Sequence, residues 1–321
     1  MEQGFALILT AVASIGAMGL STLQVATIFS TRQLGSGVVH LVGGVLVDAW
    51  KKHWGMMLVG CMVASAIFHA LFGVAPTFIF LAIIGVSMAV PGAIWHLPST
   101  AAISQIFPDK RGFAIATHGT AASIGGSLGP VLAGALLTGL LWRNIFYLYA
   151  LASLLVAIFV WWALRHLQGK DDPQGRTISL RLQINLSLSL MKNPVVISLV
   201  IAGMLRGMGL NGVLQWTPFY LENELGMGHL EAGLHYGLLT AMGIISAPIL
   251  GSVSDKIGRK LILVPGLLTT AILCVLLVMV GNSNLIILVM AGLGIFTIVM
   301  HQLIQAAALD SVNVGQEATV V

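Results

Sequence analysis

Charged side chains are scarce in this sequence, since Asp, Glu, Lys and Arg make up 8% of its 321 residues. A soluble domain carries about 25% of such residues and covers its surface with them. Apolar residues make up 57% instead, and the mean hydropathy is +0.97. A chain of this composition must turn apolar surface toward a lipid bilayer. This excludes an ordinary soluble protein, and we expect no nucleic-acid partner despite a net charge of +4.

Cysteine is also scarce, because Cys61 and Cys274 are its two examples and each lies inside an apolar run. Two such thiols indicate packing between helices, and they predict neither a disulfide framework nor a metal site. The sequence lacks a Gly-Lys-Ser/Thr phosphate loop, which disfavours ATP-driven transport. It shows no cluster of nucleophile, base or metal ligands, so we expect neither an enzyme nor a cofactor.

Apolar stretches of about 20 residues recur along the chain and predict an all-α, polytopic membrane protein with about ten helices. The predicted helices cover 5–20, 22–48, 55–74, 77–106, 112–140, 145–166, 194–221, 231–253, 261–281 and 284–309. The first is short, about 16 residues or ~24 Å. A helix of that length barely crosses a hydrocarbon core of ~30 Å.

One long polar stretch, from Arg165 to Lys192, separates six predicted helices from four. Part of it, 178–186, mixes polar and apolar residues and could lie on the membrane surface. We therefore predict an N-terminal helical half over 1–166, a cytoplasmic central loop over 167–193 and a C-terminal helical half over 194–321.

Basic residues concentrate in the loops on one side of the predicted helices. These loops hold Lys51, Lys52, Lys110, Arg111, the basic residues of 165–192, Lys256, Arg259 and Lys260. The opposite loops hold Arg143 with three acids, Glu222, Glu224 and Glu231. Because basic loops stay in the cytoplasm, we predict a multi-pass protein of the plasma (bacterial inner) membrane with these loops inside.

A short pattern occurs twice, after the second helix of each predicted half. The copies read Gly44-Val-Leu-Val-Asp48-Ala-Trp-Lys51-Lys52-His53 and Gly251-Ser-Val-Ser-Asp255-Lys256-Ile-Gly258-Arg259-Lys260. Such a repeat indicates a duplicated membrane protein. The pattern resembles the helix 2–3 loop motif of the major facilitator superfamily and its second-half copy. The first copy departs from the family pattern at Ala49 and Lys51.

This resemblance implies two pseudo-repeated helical halves around a central cavity, which rock about it in alternating access. The gating residues that it implies are Gly44, Asp48, Lys52, Gly251, Asp255, Gly258, Arg259 and Lys260. In the family, the carboxylate caps a neighbouring helix and pairs with basic residues of the motif until the cytoplasmic side opens. The first glycine of each copy is expected to let neighbouring helices approach closely.

A second motif lies in the predicted fifth helix and reads Gly125-Gly-Ser-Leu-Gly129-Pro130-Val-Leu-Ala133-Gly134. It resembles a Gly-Pro motif that the family associates with exporters of the antiporter type. Small residues at four-residue spacing allow tight helix contact, and Pro130 permits a kink. An ordinary, tightly packed helix is the alternative interpretation.

Further residues of the fourth and fifth helices refine the resemblance. They are His96 with Pro98, the stretch Phe107-Pro108-Asp109-Lys110-Arg111-Gly112, and His118. Together with the Gly-Pro motif they resemble the fosmidomycin-resistance-like branch of the superfamily, which contains drug exporters. The helix 4 arginine of many proton antiporters has no counterpart here, so the usual coupling scheme does not transfer.

Polar residues inside the apolar spans are the remaining candidates, because each is costly in lipid and usually faces a cavity or a partner. Arg32 and Arg206 suit an anionic substrate, or else they pair with backbone carbonyls. The stripe of Met204, Met208, Asn211 and Gln215 lies on another face of helix 7 than Arg206. We favour Arg206 as the residue in the cavity. The candidates for substrate binding or coupling are Arg32, His96, His118, Arg206, Asn211, Gln215, Trp216 and His301.

These features together predict a monomeric secondary transporter that exports a small, partly apolar molecule or drug in exchange for protons. No acidic residue inside a span can be named as the proton carrier. One alternative is an uptake symporter for a small organic anion, and another is a non-transporting membrane sensor or inactive fragment. Residues 310–321 look like a loop into a further helix, so we expect helices 11 and 12 to be missing. The short first helix indicates that part of helix 1 is missing too, and a natural ten-helix protein is the alternative.

The predicted topology can be tested by labelling single cysteines in intact cells. A cysteine at Gly169 should react with a membrane-impermeant thiol reagent only after the cells are opened, because the basic central loop is predicted to be cytoplasmic. A cysteine at Asn223, in an acidic loop, should react from outside. Labelling of position 169 from outside would contradict this topology.

Overall fold

The computed structural model describes residues 2–14, 16–169 and 194–310, and within these ranges it contains ten α-helices and no strand. The helices are α1 (Glu2–Ala13), α2 (Thr22–Ala49), α3 (Trp54–Gly73), α4 (Phe78–Ile106), α5 (Arg111–Leu137), α6 (Trp142–Leu164), α7 (Pro194–Phe219), α8 (His229–Ile257), α9 (Arg259–Val280) and α10 (Leu285–Asp310). The prediction of an all-α chain with about ten helices is confirmed.

In the part of the chain that the structure describes, eight helical segments are long and apolar enough to cross a membrane. They are Lys51–Gly73, Phe78–Ile106, Thr117–Leu137, Trp142–Leu164, Val196–Glu224, His229–Ile257, Arg259–Val280 and Leu285–Ile304. In lipid, every backbone N–H and C=O needs a partner within the chain, and a helix of about 20 residues supplies one across a core of ~30 Å. The multi-pass membrane character predicted from composition is therefore confirmed.

The first helix differs from its prediction over 5–20. α1 spans Glu2–Ala13, which is 12 residues or about 18 Å. The chain then turns at Gly19, whose φ is +60°. The backbone N–H groups of Ser21 and Gln24 each donate to the other's side-chain oxygen, at 2.9 and 3.3 Å. This capping box starts α2, so one apolar run in the sequence is interrupted by a turn.

Two predicted segments lie outside the described residues. They are the membrane-surface stretch at 178–186 and the loop after 310. The division of the chain into 1–166, 167–193 and 194–321 concerns the repeat along the sequence, and it stays a prediction.

By internal contacts, the chain divides into two compact units. The α7–α10 unit consists of Met1–Leu7, Thr120–Thr138 and Arg181–Val321, and the α2–α6 unit consists of Ile8–Gly119 and Gly139–Leu180. Helix α5 contributes to both, since its first turns belong to the α2–α6 unit and its remaining turns to the α7–α10 unit.

Trp54 organises one end of the α2–α6 unit. Its side chain is 1% exposed and packs against Val47 and Ala102, near the ends of α2 and α4. Its Nε1 donates to the carbonyl of Val47 at 3.0 Å. The chain after α6 is hydrogen-bonded to the same end of the unit. The N–H of Gly55 donates to Leu167 O at 3.0 Å, and the N–H of Gly169 donates to Lys51 O at 2.8 Å. The basic loop after α2 and the basic chain after α6 therefore lie at one end.

Arg143 organises the other end of the same unit, where α3 finishes and α6 begins. Its Nη1 donates to the carbonyl oxygens of Gly73 and Ala75, both at 3.1 Å. Its guanidinium also lies 4.1 Å from the ring centroid of Trp142. The last carbonyls of a helix lack partners within the helix, so this arginine completes the C-terminus of α3.

Helix α10 is central to the α7–α10 unit and packs against α8 and α9. A Cβ at Gly294 would clash with the carbonyl of Leu239 on α8, so the two backbones lie close together. Nearby, the Oγ of Ser246 on α8 donates to Ile295 O at 2.8 Å. The buried cluster on the α9 side consists of Leu263, Val299, Met300, Leu303 and Ile304.

Candidate functional site

The second copy of the repeated motif lies where α8 passes into α9. Helix α8 ends at Ile257 and α9 begins at Arg259, so Gly258 alone connects them. Its φ of 103° and ψ of 140° lie in a region that is essentially restricted to glycine. The motif glycine therefore lets two long helices meet without a loop.

The charged residues of this copy bond to each other. The Nη1 of Arg259 pairs with the carboxylate of Asp255 and donates to the Oγ of Ser254 at 2.8 Å. The Asp255 side chain is 60% exposed, and Lys260 is exposed as well. An ion pair so exposed contributes at most about 1 kcal/mol. The carboxylate of Asp255 is therefore accessible to a further hydrogen-bond partner. Its gating role stays a prediction.

The first copy of the motif has a different backbone. Helix α2 continues through Gly44 and Asp48, whose side-chain placement the structure does not describe, and a 3-10 turn then covers Lys51–His53. Among the described residues, every positive φ belongs to a glycine, so the Lys51 turn does not need one. This explains how Lys51 can stand where the second copy has Gly258. Lys52, the next motif residue, is exposed.

Gly251 does not show the close helix approach that we expected of it. A Cβ at this position would meet no heavy atom of the described residues within 4 Å. The expectation is wrong for this structure, because this turn of α8 faces open space there. Of Gly251 and Gly258, it is Gly258 whose backbone conformation requires glycine.

The Gly-Pro motif of α5 packs closely against the start of α8, within the α7–α10 unit. Gly129, Pro130 and Gly134 are buried, whereas Gly125 is exposed and has open space around it. A Cβ at Gly134 would clash with the carbonyl oxygen of His229, at the start of α8. Three of the four motif residues therefore lie in a contact that leaves no room for larger side chains, as small-residue motifs do in membranes.

The partner surface on α8 is also made of glycine. A Cβ at Gly233 would lie 2.7 Å from Pro130 O, and one at Gly237 would lie 2.6 Å from a methyl of Val131. On the other side, a Cβ at Gly4 of α1 would lie 2.8 Å from Gly129 O. Our sequence analysis missed this surface, although the four-residue spacing of Gly233 and Gly237 is a signal that could have found it.

Two of the predicted substrate or coupling residues meet in the α2–α6 unit. The rings of His96 on α4 and His118 on α5 lie 6.3 Å apart between centroids and 79° between planes. The Nε2 of His118 is buried without a hydrogen-bond partner among the described residues. Arg32 lies along α4, because a Cβ at Gly85 would be 3.7 Å from its Cγ.

Arg206 bonds a neighbouring helix. Its Nη2 donates to the backbone carbonyl of Thr297 on α10, and its side chain is half-buried. This is the backbone pairing that the sequence left as the alternative. A buried guanidinium needs an acceptor, and the neighbouring helix supplies one. A role of Arg206 in substrate binding stays a prediction.

The methionine stripe of α7 lies on an open face of this unit. Met204 and Met208 are 62% and 72% exposed, and Asn211 is exposed as well. Gln215 and Trp216 are half-buried, and the Trp216 ring lies 5.2 Å from that of Phe219. Met204 and Met208 are therefore not buried between the described helices, and a role of the stripe in substrate binding stays a prediction. His301 lies in α10, and the structure does not describe its side chain.

One ionisable pair was missed entirely. The Nδ1 of His229 donates to the carboxylate of Glu222 at 2.8 Å, and the Glu222 side chain is only 8% exposed. The sequence placed Glu222 in an acidic loop, so it gave no sign of a buried carboxylate. Among the described residues, no group of three His, Cys, Asp or Glu side chains could hold a metal ion.

Ten helices, a duplicated charged loop and a glycine-lined crossing define a multi-pass membrane protein of the transporter type. The model of the Major Facilitator Superfamily matches residues 3–321, and the chain belongs to this family. Its members are transporters, so the expectation that the chain is not an enzyme is confirmed.

Three curated relatives share about a quarter of the sequence. The fosmidomycin resistance protein of Escherichia coli (strain K12) is 24% identical over 76% of this chain and 59% of its own length. The cis,cis-muconate transport protein of Acinetobacter baylyi is 25% identical over 86% and 68%. The multidrug resistance protein MdtG of Dickeya zeae is 24% identical over 82% and 64%. The chain thus spans about three fifths to two thirds of these relatives.

Solved structures share the fold at lower identity. The nucleoside transporter NupG superposes with a TM-score of 0.79 at 14% identity, covering 99% of this chain and 81% of its own. A bacterial homologue of the lysosomal transporter Spinster superposes with a TM-score of 0.65 at 17% identity, covering 99% and 77%. The predicted fold class is therefore confirmed.

The two glycines of the second motif should respond differently to alanine. We expect Gly258→Ala to lower the thermal unfolding midpoint of the purified protein by about 2 °C or more, because alanine at this positive φ costs about 1–3 kcal/mol. Gly251→Ala is the matched control, since its Cβ meets open space in a helix. Equal effects of both substitutions would contradict the backbone argument.

The two ends of the α5 motif should also differ. Gly134→Ala places a methyl group against the His229 carbonyl, and overpacking of this kind costs about 1–3 kcal/mol. We therefore expect a lower unfolding midpoint in the same assay. Gly125→Ala, in open space on the same helix, should leave the midpoint unchanged or raise it slightly. A harmless Gly134→Ala would show that the crossing can widen freely.

Proposed function

We propose that the chain forms a secondary active transporter that exports a small, partly apolar molecule or drug in exchange for protons, by alternating access. The α5–α8 crossing is the observation that carries this proposal. Its Gly-Pro motif is of the type that the family associates with antiporter exporters, and glycines of both helices meet there. Two of the relatives are named for fosmidomycin resistance and multidrug resistance, which supports export.

The open face of α7 supports a permissive substrate site. Met204 and Met208 present flexible, polarizable side chains there, and Asn211 adds an amide beside them. Methionine adapts its shape to different apolar surfaces. A face of this kind suits molecules that are partly apolar and vary in shape.

Uptake of a small organic anion is the second candidate. The relative named for cis,cis-muconate transport favours it, and so do the cations Arg32 on α2 and Arg206 on α7. The Arg206 guanidinium already bonds Thr297 O. A guanidinium has five N–H donors, so a bond to one carbonyl is compatible with binding an anion.

We also propose a monomer in the plasma (bacterial inner) membrane with its basic loops in the cytoplasm. The loop after α2 and the chain after α6 support this orientation, because they are bonded together and both are basic. A cluster of basic segments at one end of a unit is what the positive-inside bias requires.

Proteoliposomes that contain the chain, under an imposed pH gradient, test the proposal. The probes are labelled fosmidomycin and cis,cis-muconate. Exchange for protons predicts accumulation of a probe when the lumen is acidic, whereas symport predicts accumulation when the outside is acidic. Accumulation under neither gradient would favour the non-transporting sensor or inactive fragment and contradict the proposal.

Asp255→Asn should slow this transport without preventing insertion. The substitution keeps the shape but removes the charge that pairs with Arg259. An exposed pair is worth at most about 1 kcal/mol, so we expect a loss of up to about fivefold in initial rate. Asp109→Asn, at an exposed carboxylate outside both motifs, is the control. Equal rates for both variants and the parent would remove Asp255 from gating.

A further inference from the structure

A bonded pair of ionisable side chains spans the connection between α7 and α8. The Nδ1 of His229 lies 2.8 Å from the Oε1 of Glu222. The side-chain exposures are 39% for the imidazole and 8% for the carboxylate. Water therefore reaches the ring, while the ring covers the carboxylate. A proton can exchange at His229 without opening the structure around Glu222.

The backbone between the two residues holds them in this arrangement. Helix α7 passes into a π-helical turn at Tyr220–Glu224, and the chain reverses at Gly226, where φ is +68°. Leu221 and Met227 are buried at 0% and 7% exposure and bond to each other through Met227 N–H and Leu221 O at 3.0 Å. The extra residue of a π-turn changes the facing of the side chains, and this turn directs Glu222 inward.

The connection between α7 and α8 is also hydrogen-bonded to α9 and to the loop between α9 and α10. The hydroxyl of Tyr220 donates to Leu277 O on α9 at 3.3 Å. The side-chain amide of Asn282, between α9 and α10, donates to Leu225 O at 3.3 Å. These bonds hold Glu222 fixed relative to the α7–α10 unit, so the pair acts on the start of α8.

His229 is also the first of the α8 residues that touch the α5 motif. Its carbonyl oxygen lies against Gly134, and one turn later Gly233 lies against Pro130 O. The side chain of His229 therefore bonds Glu222, while its backbone carbonyl sets the position at which α8 first contacts α5. A change in the strength of the bond to Glu222 acts directly on this contact.

The other ionisable groups near the pair have different surroundings. Glu224 and Glu231 are exposed, and the Nδ1 of His235 lies 2.9 Å from the carbonyl oxygen of Glu231, within α8. The part of α5 in this unit, residues 120–138, contains no charged residue or histidine. The α9–α10 connection around Asn282 contains none over residues 277–285. Helix α1, whose Leu7 lies beside Gly233, carries one acidic residue, Glu2. Among the described side chains at the start of α8, Glu222 and His229 are the ionisable pair that bond to each other.

We propose that Glu222 and His229 form a proton-operated latch that holds the first turn of α8 against the α5 motif. The latch is strongest when Glu222 is ionised and His229 is protonated, because the hydrogen bond is then charge-assisted. It weakens when His229 loses its proton. An imidazole gains and loses its proton within the physiological pH range. The two side chains are positioning residues for the α5–α8 crossing.

Thermal unfolding of the purified chain at several pH values tests the latch in the absence of substrate. We expect Glu222→Gln to lower the midpoint by about 2–4 °C near pH 5.5 and by less near pH 8. His229→Lys keeps a cation at both pH values, so the stabilisation should persist near pH 8. The double variant Glu222→Gln/His229→Gln should be no less stable than the worse single variant.

Two neighbours on the same connection provide matched controls. Glu224→Gln removes an exposed carboxylate, and His235→Gln removes an imidazole on the same helix. Neither should change the difference between the two pH values. A pH-independent effect of Glu222→Gln, or an equal effect of Glu224→Gln, would overturn the latch.

A local readout separates the latch from general stability. Ala232 is 0% exposed and lies one turn into α8, so Ala232→Cys reports opening at the crossing. At one fixed pH, its reaction with a thiol reagent should be several-fold faster when combined with Glu222→Gln than with Glu224→Gln. The native Cys61 and Cys274 are replaced by serine for this measurement. Equal rates would mean that the pair does not hold the crossing closed.

Discussion

Lipid offers no hydrogen-bond partner to a peptide group, and this constraint governs the structure. Long helices pair their backbone groups along their length. Each break between helices therefore needs a particular turn or capping residue. Gly258 joins two helices through a backbone shape that other residues avoid. Ser21 and Gln24 cap each other where α1 gives way to α2. Arg143 bonds the carbonyls at the end of α3. Of these residues, Gly258 belongs to a motif of the sequence, whereas Ser21, Gln24 and Arg143 do not.

The two copies of the repeated motif solve it in different ways. The second copy is self-contained, because Gly258 makes the turn and Arg259 bonds Asp255 within the same stretch. The first has a 3-10 turn, and the chain after α6 bonds to it through Gly169 and Lys51. The two copies therefore share an acidic residue, Asp48 or Asp255, and a basic one, Lys52 or Arg259, while their turns differ. The family resemblance is strongest where the turn itself requires glycine.

The sequence predicted the parts of the fold that depend on composition and period. Nine of the ten helices lie close to their predicted spans, since a helix of about 20 apolar residues leaves a strong signal. The first helix was misplaced because Gly19 turns the chain inside one apolar run. The capping pair Ser21 and Gln24 was the local signal for that boundary.

The contacts of the site were less predictable, for physical reasons. Arg206 bonds a main-chain carbonyl, and every residue has a carbonyl, so such a partner leaves no mark in a sequence. Glu222 is buried because a π-turn changes its facing, which no simple period anticipates. The glycines of α5 were found from their motif, whereas Gly233 and Gly237 were missed because their pattern was not paired with that of α5.

The bond between Gly169 N–H and Lys51 O has a partner beside it, since Gly55 N–H bonds Leu167 O. Two hydrogen bonds therefore join the chain after α6 to the loop after α2 and the start of α3. The backbone of Lys51 cannot separate from this chain unless both bonds break. Segments bonded in this way open together rather than one at a time, so the first charged motif and the end of α6 form one cooperative piece of structure.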